Sequence, residues 1–165
     1  MKKSQIQAQI FVYVLAMIVI ALVLLYGYRG ISTMKDRAKQ IDILSFKGET
    51  MKAIEKVSND YGTVRVPILN APPEHTEICF IDMQGHSPAQ DLESEHPLVY
   101  EAWGDESANV FLINDLVEES FLIGDKDNYL IAIDPPHYLC MHIKNREVKI
   151  KIEGIGGKAK LSLPE

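Results

Sequence analysis

The sequence predicts an α+β protein: a long N-terminal transmembrane and stalk helix followed by a mainly antiparallel β domain, a meander or a sandwich. Three observations carry this. Residues 10–26, IFVYVLAMIVIALVLLY, run for seventeen positions without a charge, a Pro or a Gly. Residues 29–61 then place apolar side chains three and four apart, the period of a helix with one apolar face. From Thr63 the apolar period falls to two, in short runs separated by turn residues.

The apolar run comes first. The chain carries no charge from Ser4 to Tyr28, and the strict core alone would rise about 26 Å as a helix, against ~30 Å of bilayer hydrocarbon. A helix is the form that satisfies every backbone N–H and C=O where lipid offers no partner. Tyr13, Tyr26 and Tyr28 stand near its ends, at the level where amphipathic rings prefer the headgroups. The expected organisation is therefore a basic head and Gln-rich ramp at 1–9, a transmembrane helix at 10–28, an amphipathic stalk helix at 29–61 and a soluble β-rich domain at 62–165. The run outlasts a typical secretory h-region and ends in LLYGYRG without a small-x-small cleavage pattern, so a retained anchor is expected.

Charge narrows the partners. Fifteen basic and 23 acidic residues follow the span, a net −8, which speaks against a nucleic-acid partner and against a domain lying flat on anionic lipid. Orientation is contested within the sequence. Lys2 and Lys3 precede the span, whereas Arg29, Lys35, Arg37 and Lys39 follow it, a count that favours a cytoplasmic C-terminal domain. Cys79 and Cys140, in the apolar runs ICFIDM and HYLCMHIK, fit either a disulfide, which would put the domain outside the cytoplasm, or two buried thiols.

The head, MKKSQIQAQ, has paired Lys, a small residue, then Gln and a long apolar helix. It resembles the class III signal of type IV pilin-like proteins, archaeal ones in particular. The resemblance covers about residues 1–30. It implies cleavage between Ser4 and Gln5 by a prepilin-type peptidase, leaving Gln5 as the first mature residue. It also implies a helix that sits first in lipid and then packs against itself or other pilin-like subunits in a filament core. The chain departs from the family pattern at Ser4, where Gly or Ala is usual, and at Gln9, where an acid is often found.

In the stalk, Ile31, Met34, Ala38 and Ile41, then Phe46, Met51, Ile54, Val57 and Tyr61, define the apolar face. The membrane helix is expected to continue, bent or broken, into this stalk, Gly48 is the stalk's soft point, and Asn59-Asp60-Tyr61-Gly62 is the stop signal. Strands are expected over 63–68, with Pro67 marking an edge, and over 76–83. In the second, Ile78 and Phe80 face one side and Cys79, Ile81 and Met83 the other, with burial on both. Residues 84–95 read as a loop, and Pro97 opens a short helix that ends at Gly104. Further strands follow at 109–113, 120–123, 128–133, 137–143, 148–153 and 159–163.

No motif compels chemistry. His75, His86, His96, His137 and His142 form no metal-ligand spacing; the carboxylate-flanked His75 and His96 fall in expected loops and read as exposed loop histidines, and no catalytic residue, metal or cofactor is expected. Gly154-Ile155-Gly156-Gly157 lies between strands, without the following helix that gives a phosphate loop its anion affinity, and reads as a turn. Asp115, Glu118, Glu119, Asp125 and Asp127 lack the spacing of a calcium loop and read as a solvated face. Tyr100 and Trp103 read as packing residues. The expected function is a membrane-anchored, non-enzymatic surface protein, a pilin-like structural subunit with its C-terminal domain outside. The alternatives are a single-pass accessory or binding subunit of a membrane complex and, behind it, a tethered hydrolase.

Overall fold

The structure, a computed structural model, describes residues 3–83, 90–105, 107–125 and 128–164, with side chains from Ile10 onward except Asp36, Gln90 and Asp105. It divides into two units, Met1–Ile41 and Asp42–Glu165. One helix, α1 (Lys3–Ser58), contributes to both. Over the first unit it is long and apolar enough to cross a membrane, and its side chains from Ile10 to Tyr28 are exposed.

Within the second unit α1 changes character. Phe46, Thr50, Ile54 and Val57 recur every three or four residues and are buried, so a single stripe of the helix faces the core. The apolar face expected over the whole stalk is therefore buried only from Phe46 onward. Ile31, Met34, Ile41 and Tyr61 are exposed. Nor does Gly48 interrupt the helix. Its cost of about 1 kcal/mol relative to Ala is small beside the burial of Phe46 and Ile54 on either side. The helix stops at Ser58, where a turn takes over: Asp60 N–H donates to the Val57 carbonyl at 3.1 Å, and Gly62 has φ +78°.

The β strands are β1 (Val64–Arg65), β2 (Ile68–Asn70), β3 (Glu77–Ile81), β4 (Val110–Ile113), β5 (Val117–Phe121), β6 (Gly124–Asp125), β7 (Asn128–Tyr129), β8 (Ile131–Ala132), β9 (Tyr138–His142), β10 (Glu147–Lys149), β11 (Lys151–Gly154) and β12 (Ala159–Ser162). A four-stranded sheet in the order β5-β4-β3-β9 is antiparallel throughout. A second has the order β1-β11-β12-β8, with β12 and β8 parallel. The pairs β10-β2 and β6-β7 complete the sheets. The class is α+β with mainly antiparallel sheets, as the change of period predicts.

Several expected strands are divided, and proline chemistry explains one division. Val64 pairs with Glu153 and Arg65 with Ile152, while Ile68 pairs with Lys149 and Asn70 with Glu147, all in one register. The antiparallel ladder breaks only around Pro67, which has no N–H to donate. The 148–153 strand thus becomes β10 and β11, with Ile150 fully buried between them. The 128–133 strand divides because β7 pairs with β6 whereas β8 joins β12. The strand expected at 120–123 begins earlier, at Val117.

Residues 90–95, expected in a loop, form a short helix α2 (Gln90–Glu95) that leads into α3 (Pro97–Asp105); the rest of that expected loop, 84–89 with His86, lies outside the described residues. Strand β3 occupies the centre and is buried on both faces, as expected. Ile78 and Phe80 meet Phe46, Ile54 and Val57 of α1 and Ile131, Ile152 and Leu161 of the second sheet. Cys79 and Ile81 meet Leu92 of α2, Val99 of α3, Phe111 and Tyr138.

The glycine turn has a structural task. Gly157 N–H donates to the Ser58 carbonyl at 2.8 Å and so caps α1, and a Cβ on Gly154 would overlap the carbonyl oxygens of Val57 and Asp60. The hairpin between β11 and β12 closes over the helix end because its backbone can approach that closely.

Candidate functional site

The face of β3 turned away from α1 carries the concentration of chemistry. Alternation puts Glu77, Cys79 and Ile81 on one side of the strand, and the register sets them opposite His142, Cys140 and Tyr138 of β9. Ile143 N–H donates to Thr76 and Asp82 N–H to His137, which makes Cys79 and Cys140 a non-hydrogen-bonded pair, the narrow kind. Their Cα atoms are 4.0 Å apart and their sulfurs are joined in a disulfide. Cys79 is fully buried and Cys140 half-buried.

The second contribution comes from the α2–α3 junction. His96 N–H donates to the Leu92 carbonyl at 2.8 Å, and the His96 carbonyl accepts from Val99 and Tyr100 at 3.1 Å. One residue thus ends α2 and starts α3, with Pro97 in the first-turn position it favours. This fixes the imidazole above β3, its Nδ1 3.5 Å from Glu77 Oε1. Tyr138 stands edge-on to the His96 ring, with centroids 6.0 Å apart, and donates its hydroxyl to Glu95 at 2.9 Å. Burial, reinforced by the hydrogen bond to Glu95 and by the charges of Glu95 and Asp91, pushes the Tyr138 phenol up to about 12.

A cleft of about 220 Å³ opens beside this group, lined by Glu77, Glu95, His96, Pro97, Leu98, Val99, Ile113 and Asn114. A His–Glu pair beside a cleft can hold or move a proton. Among the described residues lining it there is no Ser, Thr or free thiol to serve as a nucleophile. Ligand atoms of Glu77, Cys79, His96 and Cys140 all lie within 4.8 Å of one another.

Other expected positions fall elsewhere. His75 and His96 are not the exposed loop residues they read as. His75 is buried, its Nε2 3.5 Å from Glu118 Oε2 and neither ring nitrogen hydrogen-bonded. Asp115, Glu118, Glu119 and Asp125 form no convergent ligand group among the described residues, and Asp127 lies outside them. Trp103 packs beside Tyr100 and donates its indole N–H to Met83 Sδ at 3.0 Å. Ser4 and Gln5 lie in α1, their side chains outside the described ones.

Sequence reasoning missed the grouping of His96 with Glu77 and the cysteines. Glu77, two residues before Cys79 in an alternating run, was the available signal for a shared strand face. Comparison with protein-family models, with curated proteins and with solved structures finds no match.

Proposed function

We propose that the chain is a membrane-anchored, non-enzymatic surface protein that acts as a pilin-like structural subunit of a filament or envelope assembly. One observation carries the reading: α1 is a single helix of 56 residues, against about 20 needed to cross a bilayer, and its apolar surface continues past the span. Ile31, Met34 and Ile41 are 60, 74 and 64 % exposed, on one stripe at helical spacing. Farther along the same helix, Phe46, Ile54 and Val57 belong to the β domain's core. An apolar stripe longer than the bilayer requires a cover, and the same stripe on neighbouring copies supplies one. The helix then serves two solvents in turn, lipid before assembly and other helices afterwards.

The Cys79–Cys140 disulfide supports a β domain on the oxidising, extracytoplasmic side, since such bonds persist there and are rare in the cytosol. A second reading, a permanently anchored accessory subunit of a membrane complex, is favoured by Arg29, Lys35, Arg37 and Lys39 just after the span. Intact mass of the protein isolated from its native membrane separates the two. Loss of residues 1–4, leaving Gln5 first, is the result expected of the pilin-like subunit; a chain that keeps residues 1–4 overturns it in favour of the anchored accessory subunit.

A further inference from the structure

The donor set beside the β3–β9 disulfide has a second use. We propose that Cys79, Cys140, His96 and Glu77 form a redox-gated site for a zinc-class divalent cation, closed while the disulfide stands and opened by its reduction. The inference rests on this cluster and not on the filament reading.

Two sulfurs, an imidazole nitrogen and a carboxylate oxygen make a four-ligand set of the type zinc takes, and the sulfurs disfavour magnesium and calcium, which prefer oxygen. A tetrahedral ion with Zn–S of about 2.3 Å and Zn–N or Zn–O of about 2.0 Å separates its ligand atoms by roughly 3.3–3.8 Å. The four donors already lie within 4.8 Å of one another. Small side-chain rotations therefore suffice, and the largest is the parting of the two sulfurs that reduction itself permits. The donors come from three elements, β3, β9 and the α2–α3 junction, and β3 and β9 are joined by a backbone ladder as well as by the disulfide. Tyr138 stands edge-on to the His96 ring and is anchored on Glu95, a packing partner that restrains the imidazole. Glu77 and His96 are only 18 and 23 % exposed, so the pair is shielded from competing water, while Cys140 is half-buried and offers a route for exchange.

The step balances as thiol–disulfide exchange. A dithiol reductant transfers two electrons and two protons: its own two S–H groups become a disulfide, the Cys79–Cys140 bond breaks, and both cysteines become thiols. Binding the cation then displaces the two thiol protons to solvent, so affinity rises with pH. The sulfurs serve either the covalent bond or the ion, never both.

The test uses the full chain in detergent micelles, oxidised or reduced with a dithiol and desalted without oxygen. Zn²⁺ is titrated against a chromophoric chelator, and Co²⁺ reports thiolate ligation by its charge-transfer absorption. The expected result is one Zn²⁺ per reduced chain, none on the oxidised chain, and at least about tenfold weaker binding in reduced His96→Ala and Glu77→Gln. Equal affinity in the oxidised parent, or undiminished affinity in both reduced variants, overturns the site. Should reduction unfold the domain, the fluorescence of Trp103 and near-ultraviolet circular dichroism decide. Recovery of native signal on adding Zn²⁺ to the parent but not to His96→Ala supports the site, and no recovery in the parent overturns it.

Discussion

The two faces of the β3-centred sheet are built from the same strands and are held by different forces. On one, Ile78, Phe80, Val110 and Leu112 meet α1 and the second sheet in a predominantly apolar layer, to which α1 adds the buried Thr50. On the other, Cys79, Cys140, Tyr138, Glu77 and His96 interrupt the apolar contacts of α2 and α3 with a covalent bond, a close imidazole–carboxylate contact and a hydrogen-bonded phenol. The first face depends on removing hydrocarbon from water, which neither pH nor reductant alters. The second responds to both. The pairing teaches that strand alternation alone can separate a structural face from a chemically responsive one.

Three variants test that contrast. The largest effect belongs to the apolar face: Phe80→Ala empties a fully buried position and should destabilise the domain by about 3–5 kcal/mol, equally with and without reductant, as read from denaturant midpoints. A cost that depended on reductant would break the contrast. Next is the double replacement Cys79→Ala, Cys140→Ala. The bond spans 61 residues of sequence, and its removal should cost about 2–4 kcal/mol while abolishing any effect of reductant on stability. A residual reductant effect in that variant would show that the contrast does not lie in this bond.

The smallest concerns Tyr138. Tyr138→Phe loses one hydrogen bond to Glu95 and should cost about 1 kcal/mol near neutrality, the glutamate being left in solvent rather than stranded. Its pH signature is sharper than its size. The folded phenol titrates at about 12, against 10.0 for the ordinary group, so the folded chain keeps a proton that the unfolded chain loses. That contribution is complete below the ordinary value and fades as pH rises from there toward the folded one. Denaturant midpoints taken at rising alkaline pH should therefore fall more steeply in the parent than in Tyr138→Phe. Parallel curves would mean that the phenol plays no part in the alkaline response of this face.

The Gly154 approach to α1 and the division of strands at Pro67 illustrate how far residue type alone carries a reading. Pro67 announced an edge because a missing N–H is a property of the residue itself, whatever surrounds it, but that it would divide the strand was not read from it. The close approach at Gly154 was not legible, since four residues reading as a turn do not say which helix end they will cover.

The sequence by itself determined the apolar helix, the change from helical to alternating period near residue 63, and the burial of β3 on both faces. These follow from local composition and spacing, which act wherever the chain goes. Tertiary structure decided that only the stretch of α1 from Phe46 onward is buried, that residues 90–95 turn into a helix, and that His96 stands over Glu77 and a Cys79–Cys140 bond. Each of these depends on which distant segments meet, and burial, pairing and register are properties of a contact between segments that no one segment encodes alone.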